Sequence, residues 1–165
     1  MKKYELLVDD TIIFCGRKLF RIKALISFGS VETGELGGYI GKEENLSQEG
    51  NAWVFGNAWV FGNAQVCGNA WVCGNAQVFG DAQVSGNAQV KSSKDYIVFK
   101  NNWSSGRYFT YTKSNKMWKV GCFYGTGKEL IDKAYRDSKD SGKHYEAYVK
   151  FVEQLEALEA DNDPK

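Results

Sequence analysis

Few side chains in this sequence have both the type and the spacing to do chemistry. The single histidine, His144, is the one imidazole able to act as a general base near neutral pH. Nothing in the sequence sets it beside a nucleophile with an orienting carboxylate. It stands at the start of the last expected helix, where a lone histidine faces solvent. The four cysteines, Cys15, Cys67, Cys73 and Cys122, form no C-x-x-C pair, so the expectation is no metal and no cofactor. The run from Gly121 to Glu129 superficially suggests a phosphate loop. A Walker pattern would need glycine and Ser/Thr where Cys122 and Glu129 stand. A weaker anion site remains where Gly125, Thr126 and Gly127 open a helix with Lys128 adjacent.

Charge singles out a longer stretch. The net charge is +1, which excludes a global field for polyanions or membranes. Residues 91–128 nevertheless carry 8 basic groups against 1 acidic group, Asp95. Lys94, Lys100, Arg107, Lys113, Lys116 and Lys119 alternate there with Tyr96, Phe99, Trp103, Tyr108, Phe109, Tyr111 and Trp118. Cations beside aromatic rings suit a phosphate-bearing or nucleobase-bearing ligand, because charge holds the phosphate and a ring stacks on the base. They suit an acidic protein surface as well. The competing reading is a sheet with aromatics buried on one face and lysines solvated on the other.

These residues are positioned by a repeat. From Gly50 to Val90 the chain repeats Val, variable, Gly, Asn, Ala, variable, with valines at 54, 60, 66, 72, 78, 84 and 90 and alanines two residues before each. A six-residue period does not fit a helix of 3.6 residues per turn; three hexads fit three short strands around one coil. Valine fills the middle of each side, alanine fits near the corner, and Gly-Asn makes the corner, since both tolerate positive φ. Ile40 and Leu46 keep the spacing. The eight residues from Leu46 to Val54 read as two inserted at one corner.

The unit resembles that of the hexapeptide-repeat proteins, and the resemblance implies a left-handed parallel β-helix, commonly trimeric. The flanking LFRIKAL and GELGGYIGKEENLSQEGNAWV, together with the end WKVGCFYGTGKELIDKAYRDSKDSGKHYEAYVKFVEQL, are similar to short hexapeptide-repeat proteins encoded by phages and prophages. The expected architecture is therefore mainly β. It has an N-terminal β cap (1–37), a short left-handed parallel β-helix of about three coils (38–91), and a small C-terminal β-sheet plus two-helix domain of ββαα type (92–165).

Residues 18 apart stack on one side of such a coil. One face carries Trp53, Phe55, Trp71 and Cys73; a second carries Trp59, Phe61, Gln77 and Phe79; a third carries Gln65, Cys67, Gln83 and Ser85. Aromatics in register are not left wet, so Trp53, Phe55, Trp59, Phe61, Trp71 and Phe79 are expected to be covered, by other subunits or by the chain's own flanks. The glutamine face is expected to be open. In the N-terminal cap, residues 4–8, 10–15 and 18–24 read as a three-stranded meander. DYIVFK, RYFTYT and KMWKVGCFY read as three strands, Thr126 and Glu129 as a capping box, and two helices follow. Tyr145, Tyr148, Val152 and Leu155 line one face of the second, either as an oligomerisation seam or packed on the sheet.

Together these features imply a non-enzymatic phage-type binding protein, homotrimeric, that blocks or sequesters a host factor such as a defence nuclease or a nucleotide signal. The ligand would be a host protein, a nucleic acid or a nucleotide. The binding residues would be Lys94, Lys100, Trp103, Arg107, Tyr111, Lys113, Lys116 and Lys119. Two alternatives stay open: a hexapeptide-repeat acyltransferase, for which His144 would be the base, and a structural virion or scaffold component. One histidine is too few for the three-histidine zinc site of the β-helical carbonic anhydrases. No apolar run suggests export or a membrane span, and unpaired cysteines suggest the cytoplasm of a bacterial host cell.

Overall fold

The hexads make two-residue strands joined by glycine corners. In the computed structural model, which describes residues 1–162, an N-terminal hairpin of β1 (Tyr4–Phe14) and β2 (Arg17–Ala24) leads through β3 (Leu36–Ile40) into the repeats. These are β4 (Trp53–Val54), β5 (Trp59–Val60), β6 (Gln65–Val66), β7 (Trp71–Val72), β8 (Gln77–Val78), β9 (Gln83–Val84) and β10 (Gln89–Val90). Each repeat strand pairs in parallel with the one eighteen residues on: Trp53 with Trp71, Trp71 with Gln89, Trp59 with Gln77 and Gln65 with Gln83. The chain thus returns to the same ladder after every third hexad, and the valines and alanines of all three ladders form one sealed core. The corner glycines, Gly50 through Gly86, have φ between 58° and 71°, whereas the asparagines beside them do not enter the left-handed region. The corner conformation therefore belongs to glycine alone.

Ile40 pairs with Val60 and Leu46 with Val66, each twenty residues apart, as the two-residue insertion before Val54 requires. The N-terminal hairpin differs from the expected meander. Residues 4–14 are one strand with an irregularity between Leu6 and Thr11 that absorbs Asp9 and Asp10. Through β3 this hairpin extends one ladder into a five-stranded mixed sheet of order β1-β2-β3-β5-β8.

After the repeats, β11 (Tyr96–Lys100), β12 (Tyr108–Thr112), β13 (Met117–Val120) and β14 (Phe123–Thr126) form an antiparallel sheet in sequence order. The sequence suggests three strands; the third is in fact two, because Gly121, at φ 57°, turns the chain back. Helices α1 (Gly127–Asp137) and α2 (Lys139–Asn162) cover one face of this sheet. The capping box at α1 is present: Thr126 Oγ1 accepts from the Glu129 amide and Glu129 reaches back to the Thr126 amide. Val149 and Val152 of α2 are buried against Phe109, Tyr111 and Trp118, with Tyr145 and Tyr148 beside them. Tyr145, Tyr148 and Val152 of the expected stripe thus pack inside the chain, while Leu155 is half-buried beyond this cluster.

The opposite face of the sheet closes one end of the repeat stack, and chemistry dictates how each end closes. Within the ladders the amides point toward the C-terminal end, as in Trp53 N–H to the Ala70 carbonyl at 3.1 Å. The last circuit therefore leaves amides without partners and the first leaves carbonyls. At the C-terminal rim, hydroxyls accept: Thr110 Oγ1 from the Gln83 amide at 2.9 Å, Ser114 Oγ from that of Gln89 at 2.8 Å, and Ser93 Oγ, more weakly, from that of Gln77 at 3.4 Å. At the N-terminal rim, donors are supplied. Lys3 Nζ reaches the Ala52 carbonyl at 2.8 Å, the Tyr39 amide the Ala58 carbonyl at 3.0 Å, and Asn45 Nδ2 the Ala64 carbonyl at 2.8 Å. Lys3 is buried, which pulls its pKa down to about 8.

Candidate functional site

Antiparallel strands send successive loops to opposite ends of a sheet, and this divides the basic segment. Lys100 pairs with Tyr108 at one end of the C-terminal sheet, where Trp103, Arg107 and Gly121 also lie. Lys94, Lys113 and Lys116 lie at the other end, about 13 Å away for four residue steps. Lys119 is half-buried on the middle strand. The eight candidate residues therefore do not form one surface.

Two of them are occupied. Tyr111 is buried in the C-terminal core, and its hydroxyl is pushed well above the ordinary tyrosine range, first by burial and then by Glu156. Lys113 pairs with Glu159. Lys94 and Lys116 are exposed.

The other end is built into a groove. Buried Asn101 folds the 101–107 loop: its side-chain amide donates to Ser104 at 3.0 Å, and its carbonyl accepts from the Tyr148 hydroxyl at 3.2 Å. Trp103 lies flat on His144, ring centres 4.0 Å apart and 8° from parallel, while His144 Nδ1 is 2.8 Å from the Asp140 carbonyl. The histidine thus props the loop rather than facing solvent alone. Beyond the loop, Arg107 and Tyr108 project beside the third face of the repeats. With Gly121, Asn63, Gln65, Asp81 and Gln83 they line a groove of about 380 Å³. A side chain at Gly121 would come within 3.1 Å of the Arg107 guanidinium, so glycine there keeps the arginine in place. Among the described residues Arg107 makes no ion pair. The groove thus holds an unpaired guanidinium, a half-exposed phenol ring, a ladder of amides and one carboxylate, Asp81, which Asn63 Nδ2 approaches at 3.5 Å. It suits a planar ligand with an anionic group: stacking on Tyr108, a charge-assisted pair to Arg107, and hydrogen bonds from the glutamines.

The expectation that the glutamine face is open holds for Gln65, which is exposed, but not for its lower end. There β12 reaches Gln83 through Thr110, and the Tyr124 hydroxyl approaches the Ser85 carbonyl at 3.4 Å. This closure brings the groove together, and sequence gives no signal of it beyond the glutamines themselves.

The aromatic faces divide by level. Trp53 is sealed beneath Tyr4 and Phe28, and Phe61 and the half-buried Trp59 lie against Phe14. One circuit further on, Trp71 is 38 % exposed against Phe55, and Phe79 is 47 % exposed on top of Phe61. The N-terminal hairpin covers the upper level only.

Among the described residues, no group of three or more His, Cys, Asp or Glu is placed to hold a metal ion, and the four cysteines are free thiols. No described helix is long and apolar enough to cross a membrane. No family model matches the sequence, and no curated protein matches it.

Proposed function

We propose that the chain is a non-enzymatic, phage-type binding protein built on a short left-handed parallel β-helix of the hexapeptide-repeat kind. It occupies a host factor, and the favoured ligand is a nucleotide or a nucleotide-bearing molecule. The observation that carries the ligand class is the groove in which unpaired Arg107 and the Tyr108 ring stand beside Gln65 and Gln83. The left-handed winding is taken from the resemblance of the repeat unit, and the eighteen-residue pairing is consistent with it. An acyltransferase built on His144 is the less favoured reading, because its imidazole is stacked on Trp103.

The test is a titration of the protein with a fluorescent single-stranded oligonucleotide and a panel of mononucleotides and cyclic dinucleotides. Saturable binding is expected that weakens as salt rises and falls about tenfold or more in Arg107→Ala and Tyr108→Ala. Binding that both substitutions leave unchanged would remove the groove from consideration. If none of these ligands binds, and capture of a host protein depends on Arg107 and Tyr108, the ligand is protein.

The trimer belongs to the same proposal and acquires a definite surface. Trp53 and Phe61 are covered within the chain, so a second copy would have to seat on Trp71 and Phe79. Trp71→Lys combined with Phe79→Lys is expected to lower the mass measured by light scattering. An unaltered mass assigns those rings to another partner.

A further inference from the structure

At the end of the C-terminal sheet away from Arg107 lies a second concavity, a cleft of about 420 Å³ between the β12–β13 turn, the start of α1 and one face of α2. Its floor is the Trp118 ring with Tyr111 and Val152, all buried. Its walls have opposite charge. Lys116 and Lys128 stand on one side, Glu153 and Glu156 on the other, and none of the four is ion-paired among the described residues.

Trp118 gives the cleft a ligand-seeking feature. The residue lines the cleft and is only 2 % exposed, yet no described acceptor takes its indole N–H. That N–H lies 3.3 Å from the point a Cβ on Gly127 would occupy, at the first turn of α1. The first-turn amides of Gly127 and Lys128 have no intrahelical acceptor. Three N–H donors and two ammonium groups therefore gather on one side, which is what a carboxylate requires. Glu153 and Glu156, three residues apart on one helical face, offer the opposite wall to a cation. A simple anion would be repelled by the glutamates and a simple cation by the lysines. A molecule carrying both charges satisfies both walls and lays its apolar part on the ring floor.

We propose that this cleft binds a free α-amino acid with an apolar side chain, its carboxylate on Trp118 and the start of α1 and its ammonium on Glu153 and Glu156. The site shares no residue with the Arg107 groove, so its test is independent of the function proposed above.

Isothermal titration with L-leucine and L-phenylalanine is the experiment, run beside leucinamide, which lacks the carboxylate, and N-acetyl-leucine, which lacks the ammonium. Saturable binding of at least one amino acid is expected, with each blocked analogue weaker by about tenfold or more. Trp118→Phe keeps the ring and removes the N–H; with the circular dichroism spectrum and melt unchanged, it is expected to weaken binding by about tenfold. If that variant does not fold, Lys128→Ala and Glu153→Gln, both at exposed positions, are expected to weaken binding instead. Arg107→Ala is expected to leave it unchanged. No heat from either amino acid at about 10 mM, or blocked analogues that bind as tightly as the parent, would overturn the proposal.

Discussion

Trp53 and Trp71 occupy equivalent positions in the repeat, yet their surroundings give them different work. Trp53 is fully buried with its rings edge-on to Tyr4 and Phe28, whereas Trp71 keeps 38 % of its surface in contact with solvent. Trp53→Ala is expected to cost about 3–5 kcal/mol in urea denaturation and Trp71→Ala about 1 kcal/mol. Equal losses would mean that the N-terminal hairpin does not seal the upper level. Tyr4 adds a pH signature. Its buried hydroxyl donates to the Leu46 carbonyl at 2.5 Å, and burial, followed by Glu43 and Glu44, raises its pKa above the ordinary value near 10. A raised acid favours its neutral form when folded, so this stability is whole below the unfolded value and declines as pH climbs past it. Wild type is expected to lose stability above about pH 10 faster than Tyr4→Phe; parallel curves would remove Tyr4 as the source.

The elements meet through polarity as much as through apolar contact. The C-terminal sheet docks on the rim where strand amides emerge and meets them with Thr110 and Ser114. Thr110→Val and Ser114→Ala each remove an acceptor from a buried or rim amide, and each is expected to cost about 1–3 kcal/mol. Faster hydrogen exchange at the Gln83 and Gln89 amides is the matching local readout; unchanged exchange would mean that water or another group replaces the hydroxyl. This docking marks the limit of what sequence reveals. The repeat is legible because a narrow core admits only Val and Ala at fixed spacing, and the inserted pair before Val54 is legible for the same reason. Strand ends are harder to read. Asp9 and Asp10 look like a break but sit in an irregular strand, and Gly121 looks like part of a strand but turns it. The groove is illegible, since Gln65 and Arg107 are brought together only by how a distant sheet sits on a rim. Charge composition marks the basic segment but not its division between two ends.

The whole molecule is a stack with a period of eighteen residues between two caps of opposite hydrogen-bonding character. Its length should therefore be adjustable most readily in whole circuits, which keep each side-chain ladder in register. Duplicating residues 63–80 in tandem returns the C-terminal sheet to the same ladders, and the longer protein is expected to melt cooperatively at an equal or higher temperature. Duplicating residues 63–68 alone leaves the Gln83 and Gln89 amides beneath Thr110 and Ser114 but shifts every ladder by one face, so Phe79 no longer stacks on Phe61 nor Trp71 on Phe55, and is expected to broaden or lower the transition. Equal melts would show that the register of the aromatic ladders adds nothing to stability. The matched rims also limit how molecules can meet. Stacked strands with bare ends template one another into filaments, but here lysine and asparagine already occupy one terminus and serine and threonine the other. Concentrated solutions should accordingly yield side-by-side association and no fibre growth along the long axis.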